Sequence, residues 1–179
     1  MQIIPIEGGV CAAKGFQAAG VHCGIRKNRS KKDLALIYSQ TECAVACTYT
    51  QNKVFGAPIT VTRKHVADGR AKAIICNSGN ANTCNANGVE IAQKTCALTA
   101  EALGILAEDV VVASTGVIGQ PLSIDPIAAG LPMLVSQLSV QGSTDACEGI
   151  MTTDTYPKEC AYAFSLEGVE CHIGAIAKG

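Results

Sequence analysis

Apolar and polar positions along the chain fall into short runs that predict alternating strands and helices. Val110, Val111 and Val112 are consecutive β-branched residues, the pattern of a strand buried on both faces. The run gives way at once to Ala113, Ser114, Thr115 and Gly116 and closes at Gly119. Ala73–Cys76 (AIIC) predicts a second buried strand, running into Asn77-Ser78-Gly79-Asn80-Ala81-Asn82. From Val89 to Leu106 the spacing predicts a helix. Ala92, Cys96, Thr99, Ala100 and Leu103 share one face, Glu90, Gln93, Lys94 and Glu101 cover another, and Gly104 stands where a C-cap belongs. Asp125-Pro126 predicts a helix start leading into Ile127–Leu138, with Pro132 expected to kink or split it. Ser143–Met151 reads as a shorter helix capped by Ser143 or Thr144. Cys160–Leu166 and Val169–Ile176 alternate around Glu167-Gly168, a hairpin signature.

The first third of the chain is less regular. Leu34–Tyr38 and Ala44–Tyr49 predict two strands joined by a turn at Ser39–Glu42, and Pro58–Thr62 (PITVT) alternates like a further strand. Arg63–Lys72 is charged and helical at its start. Lys14-Gly15-Phe16 is irregular, ending in a buried aromatic, and Arg26–Lys32 (RKNRSKK) reads as a solvated loop. Mixed strands and helices over residues 1–179 suit an α/β (α+β) chain of one domain.

Composition narrows this picture. The chain lacks Trp and is only 4% aromatic, so its core must be built from Ala, Val, Ile, Leu and Cys. A net charge of −1 gives no electrostatic handle for nucleic acid or an anionic membrane. No apolar run reaches the ~18–20 residues of a membrane span, and the first residues fit neither a secretory signal nor an Arg-rich transit peptide. These features lead one to expect a cytoplasmic protein. Its ten cysteines form no CxxC pair and most sit in apolar runs, so they are expected to be reduced core residues rather than metal ligands or disulfides.

Three stretches carry candidate chemistry. Thr115 and Gly116 end a buried strand, where a hydroxyl and a bare N–H can aim at a developing negative charge; an ordinary strand-to-helix turn has the same local pattern. The Asn-rich run from Asn77 to Gly88 offers donors and acceptors for a polar site, or serves only as a structural turn. Met151-Thr152-Thr153-Asp154-Thr155 is dense in hydroxyls, which can hold a carboxylate or simply end a helix. The chain stops straight out of the apolar run at Ala175-Ile176-Ala177-Lys178-Gly179, which leads one to expect that the polypeptide continues.

Five blocks, KGFQAAGVHCGIR (14–26), NSGNANTC (77–84), VASTGVIG (112–119), MTTDT (151–155) and IGAIAKG (173–179), together resemble the α chain of ornithine acetyltransferase, the bifunctional glutamate N-acetyltransferase of arginine biosynthesis. The resemblance implies a self-cleaved acetyltransferase with a four-layer α/β/β/α sandwich completed by a separate β chain. It places the nucleophile on the first Thr of that β chain, roughly ten residues past Gly179, with its own α-amino group as general base. It assigns Thr115 and Gly116 to the oxyanion hole and Thr152 and Lys178 to substrate. It further implies ping-pong transfer of acetyl from N-acetylornithine to glutamate, releasing ornithine, with acetyl-CoA as a donor in some members. Neither a metal nor a redox cofactor is implied, and assembly is expected as (αβ)2 or higher. A self-processing aminopeptidase or amidase of similar architecture, or a non-catalytic amino-acid-binding domain, would share parts of this pattern.

Overall fold

The computed structural model describes residues 2–179. Seven strands, β1 (Ile3–Ile6), β2 (Phe16–Val21), β3 (Leu34–Ala44), β4 (Arg70–Asn80), β5 (Val110–Val117), β6 (Lys158–Leu166) and β7 (Val169–Ala177), form two sheets. Four helices join them: α1 (Ala57–His65), α2 (Gly88–Leu103), α3 (Asp125–Ser136) and α4 (Ser143–Ile150). The expected mixed α/β class is what the chain adopts.

The larger sheet has the order β2-β3-β4-β5, antiparallel except for the parallel pair β4 and β5. The smaller has the order β1-β6-β7, all antiparallel. Alternation along the strands of the larger sheet sends Val21, Leu34, Leu36, Ala73, Ile75, Val110 and Val112 to one face. There they meet Val61 of α1, Ile91 and Cys96 of α2, and Ile127, Leu131 and Leu134 of α3, in the main core. On the opposite face Ala18 and Ala35 pack against Ala146 of α4. Only small residues fit at this junction: a Cβ on Gly20 would collide with the Asp145 carbonyl.

Several elements differ from expectation. Residues 34–44 form one strand, with the register slipping between Tyr38 and Cys43, and residues 45–49 are irregular. PITVT lies in α1, not in a strand. Its buried Pro58, Val61 and Thr62 fit helical spacing as well as the alternating pattern fits a strand, and Pro58 sits in the first turn, where a missing N–H costs nothing. The position is held by the edge of β5. The Thr62 hydroxyl donates to the Val112 carbonyl at 2.8 Å and accepts the Val112 N–H at 3.2 Å, while His65 Nδ1 lies 2.9 Å from the Val110 carbonyl. Pro132 does not split α3, whose span is unbroken; it lies on the exposed side, while Leu131 and Leu134 face the core. Neither Ser143 nor Thr144 caps α4: Ser143 Oγ accepts the Val10 N–H, and Thr144 donates to Glu159. The helix 88–103 leaves through left-handed Gly104, and the hairpin turns on Glu167 and Gly168, as expected.

Candidate functional site

The parallel pair brings the carboxyl end of β5 beside that of β4, pairing Ser78 with Thr115 and Gly79 with Gly116. Open α/β sheets bind their ligands at such ends. A cleft of about 630 Å³ opens there. Thr115 and Gly116 line it from β5, Ile25 and Arg26 from the loop after β2, Thr152 and Thr153 from the segment after α4, and Lys178 from the end of β7. All four residues singled out in the sequence therefore converge, although they come from stretches tens of residues apart. A larger cavity of about 870 Å³ lies between the first turn and α4, lined by Glu7, Ser143 and Glu159, and contains none of them.

The donor strand is built from close backbone approaches. Gly116 has φ +136, a conformation open mainly to glycine, and a Cβ there would strike the Gly79 backbone. At Gly79 a Cβ would press on the Arg26 side chain. The Asn-rich stretch resolves as scaffold. Asn77, Asn80 and Asn82 are buried. Ser114 donates to Asn77 Oδ1, Asn77 Nδ2 donates to the Asn80 carbonyl at 2.9 Å, and Asn80 Nδ2 donates to the Gln120 carbonyl at 3.0 Å. These amides fasten the residues on both sides of Thr115-Gly116, and none lines the cleft.

The basic run is not the wholly solvated loop expected of it. Buried Asp33 accepts the Cys23 N–H at 2.6 Å and the Arg26 N–H at 2.8 Å, folding residues 23–26 over the end of the sheet. The Arg26 guanidinium then donates to the carbonyls of Met151 at 2.9 Å and Thr152 at 3.3 Å. Lys32 turns inward too, pairing with Asp145 and, at 2.8 Å, with Glu148. A second carboxylate missed in the sequence is Asp154. It accepts the N–H groups of Thr152 and Gly179, both at 2.9 Å, and its oxygens lie 3.1 Å from Lys158 Nζ and 3.4 Å from Lys178 Nζ. The Thr152 N–H, then the Gly179 N–H and the Lys158 ammonium hold its carboxyl well below the usual carboxylate range. The available signal was a single acid in a hydroxyl-rich run; nothing in the spacing told which lysines it would meet.

Lys178, Arg26 and Lys27 give the cleft walls a cationic character. Among the described residues no group of His, Cys, Asp and Glu is arranged to hold a metal ion, and no helix is long and apolar enough to cross a membrane. All ten cysteines are free, but only Cys96 and Cys147 are buried, so the expectation of a mostly core role is corrected.

A parallel strand pair ending in Thr115-Gly116, with a lysine and a threonine on the same open cleft, defines an α/β protein with a polar cleft at its sheet end. The chain belongs to the ArgJ family, whose model matches residues 17–179. It is 47% identical over 176 residues to the arginine biosynthesis bifunctional protein ArgJ of Symbiobacterium thermophilum, covering 97% of this chain and 44% of that relative. The ArgJ protein of Bacillus subtilis is 43% identical over 180 residues, covering 99% of this chain and 43% of the relative. The chain thus spans less than half the length of these relatives. A solved ArgJ protein from Bacillus halodurans superposes with a TM-score of 0.93 at 37% identity, covering 99% of this chain and 94% of that one. An ornithine acetyltransferase from Mycobacterium tuberculosis, solved in complex with ornithine, superposes with a TM-score of 0.91 at 34% identity, covering 99% and 95%. The resemblance drawn from the five sequence blocks is borne out.

Proposed function

We propose that this chain is the oxyanion-stabilising half of a glutamate N-acetyltransferase whose nucleophile lies on a companion β chain cut from the same precursor. The observation that carries the reading is the convergence of Thr115, Gly116, Thr152 and Lys178 on one cleft at the end of the parallel strands. The leading Thr of the β chain attacks the acetyl carbonyl of N-acetylornithine, and its own α-amino group takes the hydroxyl proton. The carbonyl electron pair moves onto oxygen, where the Thr115 hydroxyl and the Gly116 N–H donate to it. Collapse breaks the amide C–N bond, the proton passes to the departing ornithine amine, and an acetyl-Thr ester remains. Glutamate's amine attacks that ester through the same oxyanion and leaves as N-acetylglutamate, restoring the Thr hydroxyl. Acetyl-CoA enters, where it is used, as an alternative donor at the first step. Lys178 and Thr152 supply an ammonium and a hydroxyl suited to a substrate's carboxylate or amide. No metal or redox cofactor takes part.

The β chain completes the four-layer sandwich, and the αβ units assemble as (αβ)2 or higher in the cytoplasm. Similarity to a relative solved with bound ornithine supports the substrate class. The test is an assay of the processed full-length protein with N-acetylornithine, with and without glutamate. The reading expects ornithine release that depends on glutamate. Release that ignores glutamate marks a hydrolase. A single uncut polypeptide that binds amino acids without turnover marks a binding module.

A further inference from the structure

Asp154 has no part in the reaction just described, yet it is densely engaged beside the cleft. Its side chain is 1% exposed. Oδ2 accepts the Thr152 N–H at 2.9 Å and lies 3.4 Å from Lys178 Nζ; Oδ1 accepts the Gly179 N–H at 2.9 Å and lies 3.1 Å from Lys158 Nζ. Donors from the segment after α4, the start of β6 and the end of β7 thus meet on one carboxylate. Thr152 and Lys178 both line the cleft. A lysine ammonium is a point charge on a flexible stem, and unanchored it would spread over many rotamers. Held by Asp154, Lys178 is fixed relative to Thr152, and the Gly179 N–H bond keeps the end of β7 from fraying. Lys158 supplies a second cation to the same carboxylate, so Asp154 and its two lysines together carry a net positive charge.

We infer that Asp154 is a positioning residue, holding the Lys178 ammonium and the Thr152 backbone in one geometry so that the two side chains grip a single small acylated amino acid. Asp154 touches no substrate and acts through Lys178 and the Thr152 backbone. Its effect on turnover rests on the acyl-transfer reading above, but the pairing itself can be tested without it.

In the processed full-length protein, Asp154→Asn keeps the size of the side chain but turns one acceptor into a donor. The KM for N-acetylornithine is expected to rise about tenfold or more while kcat changes less than about threefold, a loss of binding rather than of chemistry. Lys178→Met, which removes the gripping ammonium itself, should raise KM at least as much, and the loss in the double variant should fall well short of the product of the two single losses, since both break one coupling. Multiplicative losses in the double variant, or a lowered melting temperature with unchanged KM, would overturn the inference. Trace labelling of lysines with acetic anhydride, read by peptide mass against exposed Lys53, gives a readout free of catalysis: Lys178 should label several-fold faster in Asp154→Asn, by roughly the reach of one lost ion pair. An unchanged rate overturns the pairing. A wild-type protein that transfers no acetyl group sinks the acyl-transfer reading and leaves the labelling result to decide for Asp154. Should Asp154→Asn fail to accumulate, Asp154→Ser, which likewise removes the charge, carries the same two measurements with the same expected and overturning results.

Discussion

Thr115 and Gly116 sit side by side in one strand, but their substitution separates chemistry from fold to different degrees. Thr115 is half-buried at the cleft, so its hydroxyl can be removed without opening the core. Thr115→Ala is expected to cost on the order of 3 kcal/mol of transition-state stabilisation, about a hundredfold in kcat, whereas Thr115→Ser keeps the donor and loses far less. Equal losses in steady-state assays would mean that the side chain serves packing. Gly116→Ala, which from the sequence alone promises to be a catalytic lesion, is a folding lesion too. Its φ of +136 and the Gly79 backbone behind it leave no room for a Cβ, so melting temperature and activity should fall together. Asp154 makes a prediction in pH. Its folded-state pKa is depressed, chiefly by the Thr152 N–H and then the Gly179 N–H, so its contribution is fully present above the unfolded aspartate value and is lost as pH falls through the folded one. The gap in melting temperature between wild type and Asp154→Asn should be constant from neutral pH down to about pH 5 and should narrow below about pH 4. A gap that widens in acid would contradict the hydrogen-bond network described.

Among the elements, α1 is decided most clearly by tertiary context. β5 is an edge strand, and the hydroxyl of Thr62 occupies both backbone groups of Val112 that would otherwise be buried without partners. Thr62→Val, nearly isosteric, should cost about 1–3 kcal/mol in denaturant unfolding; a neutral result would mean that water reaches this edge. The same contact explains what the sequence left unread. PITVT satisfies a period of two and a helical spacing equally over five residues, and only the neighbouring strand chooses between them. Longer signals were legible: the five positions of one α2 face, the Val110–Val112 run and the Glu167-Gly168 turn all sit in the elements expected. Within the cleft, Thr115 and Gly116 were readable because their chemistry is local to one strand end. Thr152 stood out only as part of a hydroxyl-rich run, and its role, like that of Lys178, came through family resemblance. Asp33 and Asp154 were missed because a carboxylate's role depends on which N–H groups folding brings to it, and those lie up to 25 residues away.

Across the whole molecule, the smaller sheet is finished on one side only. Register puts Pro5, Tyr162 and Ile173 in one row and Ile3, Phe164 and Cys171 in the next, on the same face. Ile3 and Ile173 are more than half exposed there, and Tyr162 is 38% exposed. Contiguous apolar surface of this kind marks an interface, and the relatives carry more than as much chain again as this one. Under the proposed function a companion β chain would cover that face, and the whole account depends on its leading Thr meeting the Thr115–Gly116 edge. The most direct measurement is peptide mapping by mass spectrometry of the processed full-length protein, quenched during turnover of N-acetylornithine without glutamate. The account predicts an acetyl group on the N-terminal Thr of a companion peptide, its accumulation rate sharply reduced by Thr115→Ala. An acetyl group on a residue of this chain, or an acetylated Thr that forms as fast in Thr115→Ala as in wild type, would contradict it.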